Sequence, residues 1–119
     1  MLRVAPKYLC DKHLMAEHRE MHSIASIMSA NSTASITARK LLEGKIRKGL
    51  VETHRVVERH NELAAEMVQR RMKHATPIAQ FTAPIAGKFR GDLLDEHMKK
   101  CFDCRQQTAD VNASELPSR

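Results

Sequence analysis

The chain has 119 residues, enough for one domain and too few for two of ordinary size. Lys and Arg outnumber Asp and Glu by 20 to 14, and this excess of positive charge favours a polyanionic partner. No apolar run approaches the roughly 18 residues of a membrane span, and the N-terminus lacks the apolar stretch of a secretory signal. We therefore expect no membrane partner. Three Cys in such a chain favour a reducing compartment over a disulfide framework.

The apolar period of the first third predicts one helix followed by a loop. Asp11 is a potential N-cap, and the helix is predicted from Lys12 to about Ser29, with Leu14, Met21 and Ile24 on its apolar face. The small, polar segment 30–37 predicts a loop or a frayed helix end. A basic run punctuated by glycines then predicts a short helix and a second loop.

Two further helices complete a predicted all-α fold with an extended N-terminal segment and three main helices. The clearest pattern runs from about Leu50 to Met72, with an apolar stripe on one face and charged residues, Arg59 among them, on the other. An apolar connection over 75–87 and a capping Asp92 precede a third helix, predicted from Leu93 to about Gln107. We predict a compact helical domain over residues 1–108 and a polar, mobile tail over residues 109–119.

Two carboxylates on the first helix are the leading candidates for chemistry. Glu17 and Glu20 lie on the side of the helix that continues as Ile24 and Ile27, where an unpaired charge is costly to bury. Such a pair is tolerated where the helix opens into a cleft, in which a carboxylate can act. The alternative is a partly exposed pair, neutralised by neighbouring Lys12, His13 and Arg19.

Metal binding is a weaker interpretation. His18 and His22 share one helical spacing, and His97, Cys101 and Cys104 share another, so each set can place ligands on one helix face. A structural zinc usually takes a second Cys pair, however, and only Cys10 remains. Cys101 and Cys104 also fit as small core residues. We therefore predict no metal site.

The basic residues favour contact with the backbone of duplex nucleic acid. Aromatic residues make up only 3% of the chain, so stacking platforms for single strands are nearly absent. The basic residues are concentrated outside the long central helix, at Arg3, Lys7, Lys12, Arg39, Lys40, Lys45, Arg47, Lys48, Lys88, Arg90, Lys99, Lys100 and Arg105.

Three segments, in order, carry a resemblance to a known family. The segment Asp11–Glu20, DKHLMAEHRE, closely resembles the helix-opening motif D-x-H-L-M-A-E-Y-R-E of the pyrimidine-dimer DNA glycosylases, small phage-type repair enzymes also called UV endonucleases. Glu58–Glu66 is similar to the central helix of that family, and Lys88–Asp92 is similar to its F-R-G-D turn. The resemblance spans the chain from Arg3 to about Arg105.

The resemblance implies an all-helical enzyme without metal or cofactor that excises a base at cyclobutane pyrimidine dimers and cleaves the resulting abasic site. The N-terminal amine attacks deoxyribose C1′ to form an imine, and a carboxylate at Glu20 assists. α-Amines are less basic than lysine amines and supply more neutral nucleophile near neutral pH. The amine belongs to Met1, or to Leu2 if Met1 is removed. The DNA-binding residues by the same argument are Arg3, His13, Glu17, Arg19, Arg90 and Arg105.

This chain departs from the family pattern in three places. Leu2 stands where the family usually has the Thr that supplies the amine, Ser23 stands where an Arg contacts DNA, and 109–119 replaces an aromatic, basic tail. The partner we expect is damaged double-stranded DNA, bound by a monomer in the cytoplasm, close to the nucleoid of a cell or of a phage host. The alternatives are a glycosylase of the same fold for another modified base, a non-enzymatic duplex-binding module and, more distantly, a metal-dependent nuclease.

Overall fold

The computed structural model describes residues 1, 4–29, 32–73 and 99–115, and within them the fold is all-α, as the sequence predicts. Four α-helices have both ends within these ranges: α1 (Asp11–Met28), α2 (Ile36–Arg47), α3 (Val56–Gln69) and α4 (Phe102–Ser114). Short 3-10 turns at Pro6–Tyr8 and Thr53–Arg55 precede α1 and α3. No strand occurs in these ranges. None of the described helices combines the length and the apolar character needed to cross a membrane.

Helix α1 confirms the predicted first helix and its apolar face. Cys10 occupies the N-cap position, so Asp11 is the first helical residue rather than the cap. A negative charge in the first turn still favours the helix, because the backbone N–H groups at that end carry partial positive charge. Leu14, Met21 and Ile24 are buried in the core.

Helix α2 begins inside the segment that was predicted as a loop. The Ser35 side chain accepts a hydrogen bond from the backbone N–H of Ala38 at 3.1 Å, which caps the helix and starts it at Ile36. The helix ends at Arg47, and Gly49 follows with a φ of 75°, so that the N–H groups of Gly49 and Leu50 bond back to Ile46 and Lys45. This left-handed ending is typical of a glycine stop and sends the chain back toward the core.

Helix α3 is shorter than predicted at its N-terminal end. Residues 51–55 form an extended segment and a 3-10 turn because Val51 and Thr53 are buried against the core from outside the helix. At the other end, Arg71 adopts a φ of 62°, and the N–H groups of Arg71 and Met72 bond back to Val68 and Met67. The apolar period of the sequence therefore continues beyond both ends of α3.

Helix α4 extends beyond the predicted domain limit. It begins at Phe102 and continues to Ser114, so residues 109–114 of the predicted tail are helical. The Gln107 side-chain amide donates to the carbonyl of Lys7 at 2.9 Å, and the Lys7 ammonium pairs with Glu115. These contacts with the N-terminal segment explain why a polar sequence stays ordered. The predicted connection 75–87, the turn before Asp92 and the helix start at Leu93 lie outside the described residues.

A buried ion pair joins α1 to α3. The Arg59 guanidinium donates to the Glu17 carboxylate, with Nη2 2.8 Å from Oε2 and Nε 3.2 Å from the same oxygen. Both side chains are only about 4% exposed. Arg59 is therefore buried, although the helical period places it among the charged residues opposite the apolar stripe. A helical wheel shows which residues share a face, but it does not show that a buried carboxylate on another helix needs a cation.

Breaking this pair should destabilise the whole fold. We expect Arg59→Met to lower the free energy of unfolding by about 3–5 kcal/mol, because it leaves the Glu17 charge buried without its guanidinium. The matched control is Glu58→Gln on the same helix, which removes an exposed pair with Arg55 and should cost less than about 1 kcal/mol. Urea unfolding followed by circular dichroism measures both, and equal losses would contradict this role for Arg59.

Candidate active site

The amine of Met1 lies against a carboxylate of α1. Its nitrogen is 3.4 Å from Glu20 Oε1 and donates to the backbone carbonyl of Leu50 at 3.2 Å. The Met1 side chain is 4% exposed, and its sulfur accepts a hydrogen bond from the backbone N–H of Glu52 at 3.4 Å. Burial of the side chain therefore holds the first nitrogen of the chain in one place, beside α1 and the segment that follows α2.

Arg70 ties the N-terminal segment to the end of α3. Its Nη2 donates to the carbonyl of Leu9 at 2.7 Å and also to those of Pro6 and Lys7, at 3.2 and 3.3 Å. Its Nη1 pairs with Asp11 at 2.9 Å, at the start of α1. A planar guanidinium with several fixed N–H groups suits this task, since it can bond several carbonyls around one turn.

The two carboxylates of α1 have different environments. Glu17 is buried in its pair with Arg59, whereas the Glu20 side chain is 32% exposed and its oxygen faces the Met1 amine. The three-residue spacing places them about one turn apart along the helix. Glu17 thus holds two helices together, and Glu20 is the carboxylate that can accept and return protons at a solvent-accessible site.

A groove between α1 and α2 opens beside Glu20. Its volume is about 470 Å³, and its walls are mainly apolar with two exposed cations, Arg19 and Lys45, along them. A space of this size with a few polar groups is typical of a small-molecule or nucleotide site. The residues that line it are Ala16, Arg19, Glu20, Ser23, Ile24 and Ile27 of α1, and Ala38, Leu41, Leu42 and Lys45 of α2.

Comparison with protein families identifies what this arrangement is related to. The family model of the pyrimidine dimer DNA glycosylases matches residues 1–80, about two thirds of the chain. The chain belongs to the pyrimidine dimer DNA glycosylase family. The matched range contains Met1, Glu20 and every residue that lines the groove, whereas α4 lies beyond it. Searches of curated proteins and of solved structures gave no match.

The residues expected to act in this glycosylase lie in different surroundings. Glu20 and Arg19 line the groove, the Met1 amine contacts Glu20, and Arg105 is exposed on α4. Glu17 is inside the fold and bonded to Arg59, not on a surface that DNA could reach. Leu2, Arg3 and Arg90 lie outside the described residues.

Two parts of the site are not indicated by the sequence patterns. The carbonyl of Leu50 holds the Met1 amine, and α2 forms the second wall of the groove through Leu41 and Leu42. The glycine at position 49 was a usable signal, because a helix that stops there must turn back. Nothing local to α2 indicated that it packs against α1.

Two clusters of potential metal ligands lie elsewhere on α1. His18, His22 and His60 pack together between α1 and α3. The His22 ring meets the other two edge to face, and the Nε2 atoms of His22 and His60 are 3.1 Å apart. His13, expected to contact DNA, instead faces sulfur: its Nδ1 lies 3.1 Å from Cys10 Sγ and 3.2 Å from Cys104 Sγ. Burial raises the pKa of the Cys104 thiol to about 12, whereas the nearby backbone N–H of Cys104 lowers that of Cys101.

The cations of the groove should carry part of the affinity for DNA. We expect Arg19→Ala and Lys45→Ala each to weaken binding and to reduce the slope of log affinity against log salt by about 0.9 for each lost phosphate contact. Lys40→Ala is the control, since Lys40 is exposed on the same helix but does not line the groove. Fluorescence anisotropy over a salt series measures the slope. If all three substitutions changed it equally, the affinity for DNA would depend on the net charge of the protein and not on contacts in the groove.

Proposed function

We propose that this glycosylase excises a base at UV-induced cyclobutane pyrimidine dimers in duplex DNA and then cleaves the resulting abasic site. The observation that supports this most directly is the 3.4 Å contact between the Met1 amine and Glu20. A nucleophilic amine and a carboxylate are the two groups that base excision through an imine requires.

In the proposed reaction the neutral Met1 amine attacks C1′ of the deoxyribose. The bond between C1′ and the base breaks, and the base leaves with the electron pair and takes up a proton from solvent. Glu20 then accepts one proton from the attached nitrogen and returns it to O4′ as the bond between C1′ and O4′ breaks, which opens the sugar ring and gives a protonated imine between the chain and C1′. Glu20 stabilises the positive charge that develops at the sugar and accepts protons from the amine.

Strand cleavage follows from the same intermediate. The protonated imine acidifies the C2′ hydrogens, and Glu20 removes one of them as a base. The electron pair then expels the 3′ phosphate by β-elimination, and hydrolysis of the imine releases the amine. One carboxylate serves both steps because it first relays protons at the amine and then acts on the adjacent carbon.

The groove beside Glu20 supports action on a nucleotide drawn out of a duplex. Its apolar walls can cover a base, and Arg19 and Lys45 can pair with the flanking phosphates. Extrusion costs less where the lesion has already weakened stacking, which favours a damaged site over normal DNA. The net charge of +6 and the shortage of aromatic residues favour contact with a duplex backbone.

The central test is to trap the imine. Borohydride reduction during reaction with a duplex that carries a single dimer or abasic site should give a covalent adduct whose mass is the sum of chain and DNA fragment. Acetylation of the N-terminus should abolish the adduct because it blocks the amine, and extension by one glycine should do so because it moves the free amine away from Glu20. The intact mass of the purified protein shows whether Met1 or Leu2 supplies that amine.

The carboxylate is tested separately. We expect Glu20→Gln to lower the single-turnover rate of excision by about 10²–10⁴-fold, as for loss of a general acid or base, while DNA binding is retained. Glu43→Gln, an exposed change of the same kind on α2, should leave the rate unchanged.

Each part of the proposal can fail by itself. Excision without an adduct would support the glycosylase activity but contradict the imine mechanism. Faster turnover of an alkylated duplex than of a dimer duplex would contradict the assignment of pyrimidine dimers as the substrate. Binding without turnover of any of these substrates would leave a DNA-binding module.

A further inference from the structure

A cluster of three cysteines and one histidine joins the two ends of the chain. Cys10 and His13 come from the N-cap and first turn of α1, and Cys101 and Cys104 occupy the same positions on α4. The sulfur and nitrogen atoms of all four lie within 4.8 Å of one another. The sequence therefore contains two short pairs, C-x₂-H and C-x₂-C, which are separated by 87 residues and meet only in the folded protein.

Hydrogen bonding does not account for this cluster. The Nδ1 atom of His13 lies 3.1, 3.2 and 3.7 Å from the sulfurs of Cys10, Cys104 and Cys101. An imidazole nitrogen has one in-plane hydrogen or one lone pair, so it can bond one of these sulfurs and not three. Core packing accounts for Cys10 and Cys104, which are buried, but not for Cys101 and His13, which are only half-buried.

The distances fit a tetrahedral zinc ion. With zinc–sulfur bonds of about 2.3 Å and zinc–nitrogen bonds of about 2.0–2.1 Å, a sulfur and a nitrogen on one ion lie about 3.6 Å apart. The observed separations of 3.1 to 3.7 Å lie around this value. Three thiolates and an imidazole are also a donor set that selects zinc among the common divalent ions.

We propose that Cys10, His13, Cys101 and Cys104 bind a structural Zn²⁺ ion. Four protein ligands close the coordination sphere and leave no position for a substrate, so the ion stabilises the fold and takes no part in the chemistry at Glu20. The backbone N–H of Cys10 points at Cys104 Sγ, 3.4 Å away, and such a bond helps to hold a metal-bound thiolate in place.

The site explains how α4 is attached. Cys101 and Cys104 lie beyond the part of the chain that matches the family model, whereas Cys10 and His13 lie within it. Zinc would thus attach α4 to the first turn of α1, and the short Pro6–Tyr8 turn packs against α4 as well. Helical spacing groups Cys101 and Cys104 with His97, and this set has too few thiolates for a structural zinc site. In the folded protein the missing ligands, Cys10 and His13, come from the other end of the chain.

Metal content and spectroscopy test the proposal directly. Full-length protein, purified under reducing conditions from zinc-supplemented cells, should contain about one zinc per chain by mass spectrometry of the metal. Replacement by Co²⁺ should give thiolate-to-metal charge-transfer bands and the intense visible bands of a tetrahedral ion. Removal of zinc by a chelator should lower the thermal midpoint, and added Zn²⁺ should restore it.

Variants locate the ion. We expect His13→Ala and Cys104→Ser to reduce zinc to below about a tenth of an ion per chain, and His13→Cys to retain it with stronger charge-transfer bands. His22→Gln is the control, because it alters the separate histidine cluster and should keep the zinc.

Three results would overturn the proposal. The first is folded wild-type protein that takes up neither Zn²⁺ nor Co²⁺. The second is a Co²⁺ spectrum of the wild-type protein without thiolate bands, a measurement that does not depend on whether any variant folds. The third is metal that His22→Gln loses and the cysteine variants keep. Alkylation of the denatured protein without reductant distinguishes a disulfide, since it should label all three cysteines after zinc removal.

Discussion

The buried pair between Glu17 and Arg59 is the constraint on which the site depends. Because the guanidinium contacts the carboxylate through two nitrogens, it fixes both the rotation of α1 against α3 and the height at which they cross. A buried pair of this kind adds little net stability compared with apolar packing, but it is costly to disrupt. Once Glu17 points inward, Glu20 follows one turn later at the edge of the groove, where its carboxylate meets the Met1 amine.

The N-terminal segment needs its own restraints because the first residues of a chain are usually mobile. Here the Met1 side chain is buried, Leu50 accepts a bond from its amine, and Arg70 binds three carbonyls further along the segment. These contacts reduce the entropy that must be lost when a terminal amine is brought to a reacting sugar. The packing of a methionine side chain thereby becomes part of the proposed chemistry.

Successive turns of α1 serve different purposes. The first turn supplies His13 to the sulfur cluster, the next supplies Glu17 to the pair with α3, and the next supplies Glu20 to the amine. The first of these turns contacts α4, and the second contacts α3. The third lies near α2 and the 50–53 segment. A single helix can do this because its side chains point in directions about 100° apart per residue, so neighbouring turns can face different partners.

The sequence by itself determined that α1 is a helix, that it carries an acidic pair on its core side, and that the chain resembles the pyrimidine dimer DNA glycosylases, as the family model confirms. These properties reside in short segments, where spacing and residue type are enough. The sequence did not determine which Glu is buried, that Arg59 turns inward, or that polar residues 109–114 remain helical. Nor did it indicate that Cys10 and His13 meet Cys101 and Cys104, which lie far from them in the sequence. Only the tertiary structure decided these points, because each depends on a contact between residues far apart in the chain, and a periodic pattern describes one face of a helix without specifying what packs against it.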